Sequence, residues 1–131
     1  MIYAFHRHYT RDEARALLPQ VRRWLGCLER SRETLADYDR RITALSAPGR
    51  DLGGEVVNKW VRTLANLQET LNEFYSREIQ VKDLDRGLID FPALLGGKEV
   101  FLCWEKSEDD IEFFHDLEAG YGGRQRIGES E

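Results

Sequence analysis

Apolar residues repeat every seven positions along the first part of the chain, in two series that run three residues apart. The first series is Ala14, Val21, Leu28, Leu35 and Ile42, and the second is Leu17, Trp24, Ser31, Tyr38 and Leu45. All of these residues except Ser31 are apolar or aromatic, which predicts a long helix packed along one side. Thr10 and Glu13 have the spacing of a capping box, so we expect the helix to begin there.

Two proline-containing stretches affect this first helix, one inside it and one at its end. Pro19 lies inside the pattern, lacks a backbone donor and crowds the carbonyl of Arg15, so a kink or break is expected near residues 15–18. The stretch SAPGRDLGG at residues 46–54 combines proline with glycines. It predicts a short connection between two helices rather than a linker between domains.

The seven-residue pattern restarts after this connection. Its apolar positions are Val57, Leu64 and Leu71 in one series and Trp60, Leu67, Phe74 and Val81 in the other. They predict a second helix over residues 55–79. Two such helices joined by a short connection form an antiparallel, coiled-coil-like hairpin, here over residues 10–80.

The predicted hairpin is longer and more apolar than one small domain needs. At about 1.5 Å per residue the first helix reaches roughly 50 Å, beyond the diameter of a compact domain of this size. Leu18, Leu25 and Val61 widen the apolar stripe beyond what one facing helix covers. The chain's own sheet or the hairpin of a second copy must cover it, and we favour a homodimer through a four-helix bundle.

The hydrophobic period changes after residue 79 from that of a helix to that of strands. Short runs rich in branched and aromatic residues lie at residues 79–84, 87–91, 99–104 and 111–117. They predict a small antiparallel meander over residues 81–127, with MIYAFHRHY at the start of the chain as a possible edge strand. The predicted fold class is α+β, in a single domain of residues 1–131.

The pairing of the last two predicted strands decides whether Cys103 and His115 can act together. An odd number of loop residues puts them on one face of the sheet, and an even number puts them on opposite faces. If the side of Trp104 is the buried one, Trp104 pairs with Ile111 around a four-residue loop, and Cys103 turns away from His115. Aromatic residues on both sides of these strands leave the odd alternative open.

Composition is that of a soluble globular protein. The 131 residues are 41% hydrophobic and 33% charged, as expected for long solvated helices. No stretch approaches the ~18 to 20 apolar residues of a membrane span, and the first ten residues lack the features of a signal peptide. We therefore expect a cytoplasmic protein in which Cys27 and Cys103 are reduced thiols.

The net charge of −5 is divided unevenly along the chain. Residues 1–50 carry ten arginines and six acidic residues, giving +4, and the remainder carries nine basic and eighteen acidic residues, giving −9. Opposite charges attract the two parts to each other, within one chain or between copies. Because the arginines are interleaved with acids in an acidic chain, no nucleic-acid partner is expected.

Several short motifs between residues 81 and 127 occur together in one known family. They are Lys82-Asp83, Gly87, Asp90-Phe91-Pro92, Leu102-Cys103-Trp104, Phe114-His115-Asp116, and the closing Gly120, Gly123 and Arg124. Together with YTRDEARALLP at residues 9–19, they resemble the bacterial family catalogued as domain of unknown function 2203. The family has no established activity, so the resemblance implies a fold and a candidate patch, and no reaction. Ser107 and Glu108 replace the Gly-Glu turn that usually follows the family's LCW strand.

The acidic and histidine motifs supply candidate metal ligands. Asp83, Asp90 and Asp116 could surround a Mn, Mg or Zn ion together with His115 if their strands are neighbours, with Cys103 as a further ligand. Each residue also has an ordinary structural interpretation. Strand-end aspartates commonly form turns, a histidine beside aromatics is usually hydrogen-bonded in the core, and a lone cysteine usually behaves as a small buried hydrophobe.

Two other groups of residues carry weaker signals. Arg124 is a candidate for holding an anionic ligand or for pairing with one of the aspartates. His6 and His8 have the spacing that puts two imidazoles on one strand face, which suits a metal. Their place at the terminus predicts exposed side chains instead.

No Ser-His-Asp order, HExxH helix or phosphate-binding glycine pattern occurs, so nothing indicates an enzyme. Two hypotheses follow from the sequence. The first is a noncatalytic interaction module, a dimeric helical scaffold whose sheet end binds a protein or a small molecule. The second is a divalent-metal-binding protein or metal-dependent hydrolase that uses His115 and nearby carboxylates.

Overall fold

A computed structural model describes residues 2–45 and 54–128 of the chain. Two long helices precede a five-stranded antiparallel sheet, and this confirms the predicted α+β class with a helical hairpin followed by a meander. The elements are α1 Arg11–Leu45, α2 Gly54–Tyr75, β1 Gln80–Asp83, β2 Leu88–Leu95, β3 Lys98–Glu105, β4 Phe113–Asp116 and β5 Gln125–Arg126.

Helix α1 begins at the predicted capping box. The Thr10 hydroxyl accepts a hydrogen bond from the Glu13 amide at 3.0 Å, and the Glu13 carboxylate accepts one from the Thr10 amide at 2.9 Å. The helix then continues through Pro19 without interruption, so a break is absent there, and the alternative of a kink stays a prediction. A proline removes a single backbone donor, and the packing of buried Leu18 and Val21 on either side of it outweighs that loss.

Helix α2 ends at Tyr75, four residues before the predicted end. Glu78 has a φ of 59°, which lies outside the helical region, and the Ile79 amide turns back to donate to the Phe74 carbonyl at 3.1 Å. Val81, which continues the seven-residue pattern in the sequence, therefore lies in β1. The connection predicted at residues 46–54 lies outside the described residues except for Gly54.

The chain divides into two compact units. The first, which we call the sheet unit, comprises Met1–Arg23 and Phe74–Glu131, and the second, the hairpin unit, comprises Trp24–Glu73. In the hairpin unit the two helices line one groove together, with residues 27–34 of α1 and residues 63–70 of α2. The candidate site described below lies entirely in the sheet unit.

The five strands follow one another in chain order across the sheet. Strands β2 and β3 are the longest pair and turn at Gly96 and Gly97, both of which have positive φ. The strand predicted to end at residue 91 continues to Leu95, and Pro92 lies within it opposite Phe101. A proline is tolerated there because the pairing with β1 extends only as far as Asp90, so its missing N–H faces no strand.

The start of the chain does not form the predicted edge strand. Residues 2–10 belong to no strand, and the amides of residues 4–7 donate to the carboxylates of Glu99 and Glu78 rather than to a neighbouring strand. Tyr9 makes a single backbone bond to the sheet, from its amide to the Pro92 carbonyl at 2.7 Å. Alternating apolar residues alone therefore did not suffice to specify a strand.

Both faces of the central strand β3 are buried. Residues 100–104 are at most 4% exposed. On one face the Trp104 ring lies under the guanidinium of Arg22 from α1, at 4.8 Å, and the ring of Phe91 packs edge-on against Tyr9. The other face of β3 carries Cys103, and it is on this face that the candidate site is built.

Three arginines of α1 hold the connection between β3 and β4, at residues 106–112. Their helical spacing places them along one side of the helix. Their acceptors within the sheet unit include both carbonyl oxygens and a carboxylate. Arg11 donates to the Ile111 carbonyl, Arg15 to both oxygens of Asp110, and Arg22 to the carbonyls of Lys106 and Glu108, at 2.6–3.0 Å. Basic groups from the first part of the sequence thus meet the acidic second part, as the charge division suggested.

Neither α1 nor α2, within the residues described, combines the length and the apolar character that a membrane-crossing helix requires.

Candidate metal centre

The register of β3 and β4 puts Cys103 and His115 on the same face of the sheet. Cys103 lies opposite Phe113, and Phe101 lies opposite His115, so the preferred prediction, with Trp104 opposite Ile111, is wrong and the odd alternative holds. The connection comprises residues 106–112, an odd number. The prediction failed because it assumed one buried face, whereas β3 is buried on both and its apolar alternation carries no information.

Strand β2 adds Asp90 to this face as the direct partner of Cys103. Potential ligand atoms of Asp90, Cys103 and His115 all lie within 4.8 Å of one another. The three residues are 2%, 0% and 2% exposed. In residues 2–45 and 54–128, no other set of three His, Cys, Asp or Glu side chains forms such a group.

His115 is held by hydrogen bonds at both ring nitrogens. Nδ1 lies 2.7 Å from the Asp116 carbonyl oxygen, and Nε2 lies 3.0 Å from Oδ2 of Asp90. A carbonyl oxygen only accepts, so Nδ1 carries a proton and donates it. Nε2 then faces the carboxylate across one shared proton, which belongs either to the imidazole or to Asp90.

The buried Asp90 carboxyl has an incompletely satisfied environment. Its Oδ1 has no hydrogen-bond partner of ordinary geometry in the part of the chain that the structure describes, and the Cys103 thiol is the one neighbouring donor that interacts with the carboxyl besides His115. Burial raises the pKa of the Asp90 carboxyl above its ordinary value, and His115, Cys103 and Lys82 oppose that rise only in part. A buried carboxylate oxygen without a donor costs free energy, so the geometry favours an additional positive partner here.

Cys103 is a thiol rather than a thiolate in this environment. Burial, together with the negative charge of Asp90, raises its pKa to about 12, against the opposing charge of Arg124. Both nitrogens of His115 are already bonded to other oxygens, so no imidazole is placed to remove the thiol proton. A cysteine–histidine nucleophile is therefore inconsistent with this geometry.

The other two predicted aspartates do not join the cluster. Oδ1 of Asp83 accepts from the Arg86 amide at 3.2 Å and so stabilises the turn between β1 and β2, which is the structural role weighed for such residues. Asp116 alternates with His115 along β4, so its side chain lies on the opposite face, where it pairs with Lys98 at 3.1 Å. Only its backbone carbonyl reaches the site.

Arg124 pairs with a glutamate rather than with an aspartate. Its Nη2 contacts both carboxylate oxygens of Glu108, at 2.8 and 2.7 Å, and lies 3.4 Å from the Cys103 carbonyl oxygen. The guanidinium stacks on the Phe113 ring, 4.0 Å from its centroid. Arg124 thus covers the Cys103 side of the cluster with its charge neutralised by Glu108.

Sequence reasoning missed the carboxylates that hold the start of the chain. His8 was expected to be exposed, but its Nε2 lies 2.8 Å from Oε2 of Glu99 and its side chain is largely buried. His6 is fully exposed, as predicted, and approaches Glu78 instead. Nothing in the local sequence distinguishes Glu78 and Glu99 from ordinary solvated glutamates.

The chain belongs to the family described as Uncharacterized conserved protein (DUF2203), whose model matches residues 7–127. This confirms the resemblance found in the sequence, and the matched span contains all three residues of the cluster. No curated protein and no solved structure matches the chain.

Proposed function

We propose that this protein binds a divalent transition metal ion of the Zn²⁺ class through Asp90, Cys103 and His115. The observation that supports the proposal most directly is the buried Asp90 carboxylate, which has one oxygen without a donor beside a thiol and an imidazole. One sulfur, one nitrogen and one oxygen ligand suit Zn²⁺ better than Mg²⁺ or Mn²⁺, which prefer oxygen alone.

One of the three distances between ligand atoms is close to the value that such an ion requires, and the other two are at most 4.8 Å. Ligand bonds of about 2.0–2.3 Å in tetrahedral geometry put neighbouring ligand atoms roughly 3.3–3.5 Å apart. Nε2 of His115 and Oδ2 of Asp90 are already 3.0 Å apart. The Nδ1 bond to the Asp116 carbonyl is the type of outer contact that orients a metal-binding imidazole and fixes its tautomer.

Binding would release protons. The Cys103 thiol, with a pKa of about 12, must lose its proton, and the proton shared by Asp90 and His115 must leave as well. Loss of the thiol proton alone makes the apparent association constant rise with pH by roughly tenfold per unit near neutrality, and the shared proton steepens this rise wherever it is still bound. Calorimetric titration with Zn²⁺ in buffers of different ionisation enthalpy measures the number of protons released directly.

The proposal is binding rather than hydrolysis. Three protein ligands leave a fourth coordination position for water, as in catalytic zinc sites. A hydrolase also needs its substrate at the ion, and all three ligand residues are at most 2% exposed. Binding without turnover is therefore the role that this burial supports.

Elemental analysis of protein purified without a histidine tag tests the proposal. We expect about one metal ion per chain, lost in Asp90→Asn, Cys103→Ser and His115→Ala. Asp83→Asn and Asp116→Asn are matched controls, because they neutralise carboxylates that lie outside the cluster. Metal-free wild-type protein that also fails to take up Zn²⁺ or Co²⁺ on titration would refute it, and so would equal loss of metal in all five variants.

Homodimerisation through the hairpin unit is a second proposal, supported by a separate observation. Apart from Leu28, the described residues of its apolar seam are half-buried or exposed within the chain, and Val61 beside the seam is 50% exposed. The half-buried members include Leu35, Tyr38, Val57, Trp60, Leu64 and Leu67. A second hairpin packed along this stripe would bury apolar surface that one hairpin leaves accessible to water.

Sedimentation velocity at micromolar concentration tests the dimer. Val61→Glu should shift the protein to monomer without unfolding it, because the side chain is already half in water. Asn58→Glu adds the same charge at another exposed position of α2 and serves as the control. A wild-type monomer at these concentrations would contradict the proposal.

A further inference from the structure

The proposed metal site is closed to solvent, so an ion reaches it only if some part of the surrounding structure opens. Beside the site, the Phe101 ring lies 5.6 Å from the His115 ring and is 4% exposed. Phe101 is covered in turn by Phe5, whose ring packs against it edge-on at 5.3 Å. An unbroken row of three rings therefore leads from the surface to a ligand of the site.

Phe5 belongs to residues 2–8, which we call the N-terminal strap. The strap lies in no helix or strand and is held mainly by two carboxylates. Glu99 accepts from the amides of Ala4 and Phe5, at 2.8 and 3.0 Å, and from Nε2 of His8, at 2.8 Å. Glu78 accepts from the amides of His6 and Arg7, at 2.9 and 2.8 Å.

The N-terminal strap is held in a different way from a paired strand, and this difference affects how easily it can open. Strand pairing spreads its hydrogen bonds over many backbone groups, whereas the strap depends on two side chains. The backbone bond from Tyr9 to Pro92 lies just beyond its end and fixes the point from which it could swing. Loss of the Glu99 contacts would therefore remove the hydrogen bonds of Ala4 and Phe5 without disturbing the sheet ladder, while Glu78 would still hold His6 and Arg7.

We propose that the N-terminal strap closes over the Asp90–Cys103–His115 site, with Phe5 as its plug and Glu99 as its latch, and sets the rate at which metal exchanges. This inference rests on the proposed metal binding. A gate of this kind changes the rates of binding and release together and leaves their ratio nearly unchanged, because it controls the path rather than the ligands.

The test measures how fast a chromophoric chelator removes Zn²⁺ from the loaded full-length protein, and how fast the apoprotein takes Zn²⁺ up. Glu99→Gln and Phe5→Ala should each accelerate both rates by roughly tenfold or more, as expected for losing a charge-assisted contact or the plug itself. The equilibrium affinity should stay within about threefold of wild type. Glu118→Gln removes an exposed carboxylate outside the strap and should change neither rate.

A second readout separates failure of the strap from failure of the metal site. In a Cys27→Ser background, the labelling rate of Cys103 by a thiol reagent reports access to the site without any metal. We expect Glu99→Gln and Phe5→Ala to accelerate this labelling as well. Protein that binds no metal but shows faster labelling in these variants would refute the metal site and support the strap as a cover. If both the labelling rate and the metal-exchange rates are unchanged in Glu99→Gln and Phe5→Ala, the proposed role of the strap is wrong.

Discussion

The two units of the chain bury their apolar residues to very different extents. In the sheet unit, large side chains such as Trp104, Phe91 and Ile89 are completely buried. Among the residues of the hairpin unit whose burial the structure describes, only Leu25 and Leu28 are buried, and the other seam residues are half-buried or exposed. The sheet unit therefore supplies its own core, whereas the hairpin unit presents an apolar stripe that one chain does not cover.

This contrast predicts that the same substitution, tryptophan to alanine, destabilises the protein more in the sheet unit than in the hairpin unit. Trp104→Ala should lower the free energy of unfolding by about 3–5 kcal/mol, since it leaves a large cavity in a closed core. Trp60→Ala, at a half-buried position of α2, should lower the free energy of unfolding of the monomeric protein by less than half as much. Urea denaturation of the two variants measures both values. Equal losses would show that the hairpin seam is as well packed as the sheet core.

The two cysteines lie one in each unit and should differ in reactivity. The Cys103 pKa of about 12, against an ordinary 9.0, lowers its thiolate fraction roughly a thousandfold near neutral pH. Cys27 is half-buried, with Nη2 of Arg30 3.4 Å from its sulfur, and should react first. Mass spectrometry after timed exposure to iodoacetamide distinguishes the two sites. Faster modification of Cys103 would contradict the closed environment described for it.

Alanine substitutions at two glycines, one in each unit, should change the stability by smaller amounts and in opposite directions. Gly87 has a φ of +64°, and a Cβ atom there would lie 2.7 Å from side-chain atoms of Lys106. Gly87→Ala should therefore destabilise the sheet unit by about 1–2 kcal/mol. Gly54 has open space around it at the start of α2, so Gly54→Ala should stabilise by about 0.5 kcal/mol. Thermal unfolding followed by circular dichroism checks both signs, and a stabilising Gly87→Ala would refute the positive-φ argument.

The smallest expected effect concerns ion pairs. The hydrogen-bonded guanidinium of Arg15 holds the pKa of Asp110 below its ordinary value, although partial burial opposes this. A depressed pKa contributes stability above the unfolded value of about 3.9, and the contribution is lost as pH falls through the folded value.

Asp110→Asn should accordingly lower Tm by a few degrees at most at pH 7, and the difference from wild type should vanish in strong acid. Asp37→Asn is the counterpart in the hairpin unit, where the carboxylate forms longer contacts with Arg40 and Arg41. Asp37→Asn should lower Tm by even less than Asp110→Asn does. A pH-independent difference at Asp110 would assign the loss to something other than the ion pair.

The helices were predictable because their signals are local. The reciprocal bonds of Thr10 and Glu13 follow from two residues three positions apart, and the seven-residue pattern fixes which side of each helix is apolar. The end of α2 was missed because Glu78 adopts an unusual φ that no residue type there requires. The strap was missed because its partners lie about 70 to 95 positions away in the chain.

The candidate site was predictable in its residue types and not in its geometry. Asp90, Cys103 and His115 were all named from the sequence, yet Asp83 and Asp116 were grouped with them and Cys103 was placed on the wrong face. Whether aspartates on neighbouring strands meet depends on face and register, which single-residue signals do not specify. With β3 buried on both sides, hydrophobic alternation gave no means of choosing between the two registers.

The connection at residues 106–112 has a consequence for how relatives of this chain should be compared. Side chains alternate faces with a period of two, so one inserted or deleted residue in this connection, without a compensating bulge, would separate Cys103 from His115. Such a homologue would retain the aspartate, cysteine and histidine in its sequence, but the three side chains would no longer lie together on one face of the sheet. Counting the residues between the two strands is therefore as informative about inherited chemistry as matching the ligands themselves.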